Sequence, residues 1–156
     1  MTGPVVIVGA GHAGFQLAVS LRQAKFAGQI LLINDEKHLP YQRPPLSKAY
    51  LKGDGAPDSL MFRPQKFFED QNIELVYDSA KAIDRKAKKL KLASGKELDY
   101  WHLVIATGAR NRLLDVPNAS LDDVLYLRTM DESEQVRQRM PERKRVVVIG
   151  AGFIGL

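Results

Sequence analysis

Residues 5–14 read VVIVGAGHAG, and residues 146–155 read VVVIGAGFIG, identical at six of ten positions. A β-branched run followed by Gly-x-Gly-x-x-Gly is the pattern of a buried strand turning sharply into a helix. In the first copy Gly9 allows the tight turn, Gly11 lets the backbone approach a pyrophosphate, and Gly14 lets the helix pack closely on the strand. The amides of the helix beginning near Ala13 add the positive end of its dipole, which favours phosphate charge. His12 fills the variable position of the loop and is counted among its cofactor-facing residues. The glycine pattern alone is a weak signal, so its context decides. Leu17, Ala18, Leu21 and Ala24 follow at helical spacing, and QILLIND reads as a second strand, which completes a βαβ unit. An acid about 20 positions beyond the fingerprint meets the ribose hydroxyls in such units. Asp35 holds that place, with Glu36 beside it, and Asp35 is the expected contact.

In the second copy Gly150, Gly152 and Gly155 follow an equally strand-like run over 146–149. A phosphate site also needs the helix N-terminus behind its loop. The 156 residues stop at Leu156 before such a helix. The expectation is a first portion of a longer polypeptide that holds two dinucleotides, for which the natural pair is a flavin and a nicotinamide cofactor.

Composition narrows the alternatives. The chain has no cysteine, so neither a disulfide framework nor a thiolate pair of its own can carry redox chemistry. No apolar run approaches the roughly 20 residues of a membrane span, and the N-terminus lacks the features of a secretory signal, which makes the cytoplasm the default location. The net charge of +5 comes from 23 basic and 18 acidic side chains. Much of the excess lies in DRKAKKLK, where Lys86, Lys88 and Lys89 read as a solvated strand edge or hairpin. No recognition motif or aromatic platform accompanies the charge to suggest nucleic acid. His12, His38 and His102 share no ligand spacing, which argues against a metal site, and no serine, histidine and aspartate set has a context for nucleophilic catalysis.

Between the two glycine loops the pattern is mixed. Residues 38–55, HLPYQRPPLSKAYLKGDG, predict an ordered, non-repetitive segment with a short helix over 47–51. A helix is expected over 64–72, a strand over 73–76, and a small antiparallel hairpin or meander over 81–100 with its turn at Ser94 and Gly95. WHLVIATGAR predicts a buried strand, with Tyr100 and Trp101 packed in the core near it. Met61, Phe62, Phe67 and Phe68 read as core rather than as a partner surface. A crossing linker leads to a charged helix in MDESEQVRQRM. The fold class is therefore α/β, a Rossmann-like domain with a parallel sheet, a helix layer and a small antiparallel meander, followed by the first strand of a second Rossmann-like domain.

GAGHAG, PYQRPPLSKAYL, LVIATGAR, VLYLRT and VVVIGAGFIGL, in this order and spacing, resemble the FAD-dependent, NADH-using ferredoxin reductases that serve bacterial cytochrome monooxygenases. These belong to the wider pyridine nucleotide-disulfide oxidoreductases. The resemblance spans the whole chain. It implies residues 1–112 as the first part of an FAD-binding domain, and 113–156 as linker, helix and start of an NAD-binding domain. It implies FAD on Gly9, Gly11, Ala13 and Gly14, with Asp35 on the ribose. It further implies Arg43, Pro44 and Lys48 along the flavin, with Lys48 near its N5 and O4 edge, where a cation stabilises negative charge as hydride arrives. Lys81 would hold the adenine side through backbone groups, and Ala106, Thr107 and Gly108 would pass close to the cofactor. Arg128 has two readings of equal weight, an FAD contact and a surface salt bridge. The implied electron acceptor is a small iron-sulfur ferredoxin. Two other readings stay open: a nucleotide-binding fragment without turnover, and a disulfide reductase, which RPPLSKAYL disfavours because it stands where those enzymes carry their cysteine pair.

Overall fold

The computed structural model describes residues 3–118, 121–140, 145–150 and 152. The chain forms two compact units, Met1–Gln42 with Met61–Gly108, and Arg43–Leu60 with Ala109–Leu156. In chain order the elements are β1 (Val5–Val8), α1 (His12–Gln23), β2 (Ile30–Asn34), α2 (Ala49–Lys52), α3 (Gln65–Asp70) and β3 (Ile73–Tyr77). They continue with β4 (Ala80–Asp84), β5 (Lys89–Leu92), β6 (Glu97–Asp99), β7 (His102–Ile105) and α4 (Met130–Arg139).

The first unit is built on a four-stranded sheet in the order β3-β2-β1-β7, and every pairing in it is parallel. β1 and β2 are buried at every position, and the alternation of side chains explains why. Val5, Ile7, Ile30 and Leu32 face a helical layer with Phe15, Ala18 and Phe68. Val6, Val8, Leu31 and Ile33 face Leu90, Leu92 and Leu98 of the antiparallel sheet β4-β5-β6. A strand covered on both faces must be apolar throughout, which is what the VVIV and ILLI runs encode.

The three phenylalanines expected in the core belong to the helical layer: Phe68 is buried, while Phe62 and Phe67 pack against it. The expected contact face of α1 holds at Ala18, which is buried, and at Leu17 and Leu21, which pack against the core, with Gly14 and Phe15 buried beside them. Ala24 departs from it as the exposed C-cap, because the helix ends at Gln23. Arg22 closes that end. Its guanidinium donates to the carbonyls of Phe26, Gly28, Gln71 and Asn72 at 2.6–2.8 Å, tying the exit of α1 to the turn between α3 and β3.

In the meander the lysine run is as solvated as its composition suggests, with one difference of place. Lys86 and Lys88 lie in the β4–β5 turn, but Lys89 and Lys91 lie on β5, the central strand. Both pair with Glu97 at 3.2 Å, which holds the Glu97 carboxyl below the usual range.

The strand expected to be buried at WHLVIATGAR is an edge. Among the described residues β7 pairs only with β1, which leaves one flank of its backbone without a strand there, and Ile105 is 65% exposed. Trp101 is likewise 43% exposed rather than in the core, although Tyr100 packs against Leu90 and its neighbours.

The second unit holds the proline-rich segment. The helix expected over 47–51 is two pieces: a 3-10 turn at Pro44–Ser47, then α2, joined at Lys48. Leu46 and Tyr50 are buried within this segment, and the fully buried hydroxyl of Ser133 on α4 donates to the Leu46 carbonyl at 2.8 Å. α4 begins with a capping box: Thr129 accepts from the Glu132 amide while the Glu132 carboxylate accepts from the Thr129 amide. T129A is expected to lower stability by about 1 kcal/mol, read as a reduced urea midpoint.

The strand expected over 146–149 is absent. Residues 145–150 carry no ladder pairing, and Val147 is 87% exposed. Strand conformation holds where a neighbour satisfies the backbone, and none is supplied to this run among the described residues.

Candidate functional site

The C-terminal edge of the parallel sheet gathers most of the residues singled out by sequence. β1 and β2 run in register with Val8 opposite Ile33, so Gly9 and Asp35 leave the sheet on the same edge. The Gly9 amide donates to the Ile33 carbonyl at 3.0 Å, and Ala106 donates to the Val8 carbonyl at 2.8 Å. This edge, beyond the carboxyl ends of the parallel strands, is where open α/β sheets bind ligands.

The three glycines of the loop do different things. Gly9 has φ +106°, a conformation that side chains resist, and a Cβ there would lie 2.4 Å from the Ala106 carbonyl oxygen. Gly14 lies against the loop itself, where a Cβ would fall 1.9 Å from the Gly9 oxygen. At Gly11 a Cβ would meet nothing within 4 Å. Two glycines are therefore required by packing of the protein on itself, and the third leaves an open face.

That face carries unspent hydrogen-bonding capacity. Gly11 caps α1 with no side-chain hydrogen bond, and the first turn holds no acidic residue. The leading amides, at His12, Ala13 and Gly14, belong to the group that has no intrahelical acceptor. His12 is exposed at the first helical position, edge-on to the Phe62 ring at 4.7 Å. The arrangement fits a dinucleotide pyrophosphate: open backbone, free amides, positive dipole end and no competing carboxylate in the turn.

Ala106 and Thr107 pass beside Gly9, since their backbone atoms are those a Gly9 Cβ would strike, and Gly108 follows at φ +65°. Lys81 lies apart, exposed on β4. The β4–β5 register slips between Ala80 and Ala82, so Lys81 is the bulged residue whose backbone stands out of the ladder.

Other predicted residues lie in the second unit. The Arg43 guanidinium donates to the Arg128 carbonyl at 3.0 Å, which brings RPPLSK and YLRT together. The Arg128 amide in turn donates to Glu132 at 2.6 Å. Pro44 opens the 3-10 turn and Lys48 closes it, its side chain exposed. Tyr50 stands beneath, with Arg137 over its ring at 5.3 Å; burial and the neighbouring Glu134 charge push its phenol up. Gly150 and Gly152 are exposed, and a Cβ at either would touch nothing within 4 Å; Gly150 differs in this from its counterpart Gly9, while Gly152 matches its counterpart Gly11. Gly155 lies outside the described residues.

Sequence reasoning passed over several residues that hold this site. Asn34, Tyr41 and Ser133 are buried polar or aromatic residues whose role appears only through their contacts. Glu132 carried a readable signal, the Thr-x-x-Glu spacing of a capping box.

Among the described residues no helix is long and apolar enough to cross a membrane. The structure is similar to that of the ferredoxin reductase for the CYP199A2 system from Rhodopseudomonas palustris, with a TM-score of 0.96 and 74% identity over 98% of this chain and 38% of the other. It is also similar to putidaredoxin reductase in its covalent complex with putidaredoxin, with a TM-score of 0.81 and 39% identity over 88% of this chain and 34% of that one. In sequence it is 51% identical to rhodocoxin reductase of Rhodococcus erythropolis over 97% of this chain and 36% of the relative. The chain thus spans little more than a third of the length of these relatives. The family profile described as Pyridine nucleotide-disulphide oxidoreductase matches residues 3–156. With its strand, glycine loop and helix standing at the sheet edge as that match requires, the chain belongs to the pyridine nucleotide-disulphide oxidoreductase family.

Proposed function

We propose that this chain is the N-terminal part of a cytoplasmic flavoprotein reductase that passes electrons from NADH through FAD to a small iron-sulfur ferredoxin, in the service of a cytochrome monooxygenase. The observation that carries the reading is the open face at Gly11 beneath the free amides of α1, at an edge where Gly9 and Gly14 are filled by the protein itself. The relatives support the acceptor: one is named for a cytochrome system, and another was solved with its redoxin attached.

In this reading residues 1–112 contribute the first part of the FAD site, and 113–156 lead into the NAD-binding domain. The FAD would supply acceptance of a hydride and release of electrons one at a time. Gly11, His12, Ala13 and Gly14 would hold its pyrophosphate by backbone amides, Gly9, whose amide is given to Ile33, would shape the turn that lets it approach, and Asp35 would accept from the adenosine ribose. Lys81 meets the adenine side through its bulged backbone, and Ala106, Thr107 and Gly108 line the approach. Arg43, Pro44 and Arg128 orient the segment that carries Lys48, whose ammonium stabilises charge developing at the flavin edge. Gly150, Gly152 and Gly155 begin the nicotinamide-nucleotide site.

Anaerobic NADH added to the complete purified protein is expected to bleach a visible flavin spectrum, and a small ferredoxin is then expected to be reduced. K48M should slow the bleaching by about tenfold with FAD still bound. A colourless complete protein, or bleaching with no transfer to any ferredoxin, would overturn the reading. The first of these outcomes would leave a nucleotide-binding chain without turnover.

A further inference from the structure

Two consecutive acids, Asp35 and Glu36, stand where a dinucleotide ribose would be met, and their surroundings differ. β2 ends at Asn34, which is only 6% exposed. Its side-chain oxygen accepts from the Glu36 amide at 3.3 Å, and its side-chain nitrogen donates to the His38 carbonyl at 2.7 Å. Its own carbonyl accepts from Asp78 at 3.0 Å, anchoring the strand end to the exit of β3. The turn over 34–38 is therefore wrapped around one buried amide side chain, the local geometry asparagine favours.

Tyr41 closes the structure from the far side. Its hydroxyl donates to the Glu36 carboxylate at 2.5 Å, the short separation of a charge-assisted bond. The ring is buried and stands edge-on to His38 at 6.2 Å, and the Tyr41 backbone bridges to Met61, so the donor has little freedom to move. A carboxylate accepts but never donates; Glu36 is half-buried and its Oε2 is engaged by Tyr41, which holds this carboxylate against the loop. Asp35 lies between the two anchors, exposed, on the strand end whose neighbour Ile33 receives the Gly9 amide.

Resting on the dinucleotide reading above and sharpening it, we infer that Asn34, Glu36 and Tyr41 form a clamp that presents Asp35 alone to the ribose 2′- and 3′-hydroxyls. Asp35 touches the ligand. Tyr41 and Glu36 are positioning residues that act through it, and Glu36 leaves the set of direct contacts.

The test titrates the complete, deflavinated protein with FAD and with the analogue carrying 2′,3′-dideoxyadenosine, a deoxy analogue that lacks both hydroxyls Asp35 would bind. Y41F is expected to weaken FAD about tenfold, the effect of loosening one hydrogen bond to a charged group. It should leave affinity for the deoxy analogue unchanged, and it should add nothing in a D35A background, because the two residues form one unit. Should Y41F fail to fold, E36A tests the same bond from its other end with the same ligand-selective loss expected. Equal weakening toward both ligands, full additivity with D35A, or no effect on FAD would overturn the clamp. A D35A variant that binds FAD as tightly as the parent would instead overturn the ribose assignment, and the clamp with it.

Discussion

G14A is expected to unfold the first unit or leave it close to unfolding. The added methyl carbon would be placed 1.9 Å from the Gly9 carbonyl oxygen and 3.3 Å from Ile7 Cγ2. Neither neighbour can give way cheaply. Gly9 is fixed by the hydrogen bond its amide donates to the Ile33 carbonyl on one side and by the Ala106 backbone on the other. Ile7 is fully buried between layers. The alternative is for α1 to back away, which would withdraw Phe15 and Ala18 from the core they share with Val5, Ile7 and Ile30. Overpacking against backbone is among the few mechanisms that reach about 4 kcal/mol in one substitution. With a urea slope near 2 kcal/mol per molar, that is a midpoint lowered by about 2 M. The measurement belongs on the flavin-free protein, so that ligand binding does not add to the stability. A midpoint equal to the parent's would mean that the helix does not pack on the loop as described.

G11A should separate folding from binding at the neighbouring glycine. A Cβ there meets nothing within 4 Å, and Gly11 has φ −73° and ψ −170°, extended backbone that alanine adopts freely. Replacing glycine by alanine at a helix N-cap costs no more than about 1 kcal/mol, so the apoprotein midpoint should move little. FAD affinity should fall about a hundredfold, because the methyl occupies the space through which the pyrophosphate reaches the α1 amides. The readout is a titration of apoprotein followed by flavin fluorescence. Unchanged affinity would show that the face above Gly11 is not the ligand's seat, whatever the rest of the site does. The pair is informative because both residues belong to one motif and yet are required for opposite reasons: Gly14 by the protein, Gly11 by the ligand.

Residues close in sequence could be read closely. The four-residue apolar runs of β1 and β2 encode strands covered on both faces, and Ser94 with Gly95 marks the turn between β5 and β6. The proline pair at Pro44 and Pro45 confines helix to the residues from Pro44 onward, although the break at Lys48 was not evident. The site was legible where it depends on backbone chemistry at fixed spacing, as in the glycine loop and the acid at the end of β2. Spacing made Asp35 the expected contact with Glu36 beside it, but the hold on Glu36 was not legible. That hold comes from Tyr41, several residues away, and from a hydroxyl direction that no spacing rule contains.

By itself the sequence determined the βαβ unit, the meander, the charged helix α4 and the family, because each follows from interactions within a turn or two of chain or from motif order. Only the tertiary structure decided that, among the described residues, β7 is an edge with Ile105 and Trp101 turned to solvent, that Val146–Ile149 finds no strand there to pair with, and that Gly11 faces open space while Gly9 and Gly14 do not. The physical reason is the same in each case. An apolar run or a glycine states what a position can tolerate, but burial, pairing and open space are properties of the neighbours that distant parts of the chain bring to it.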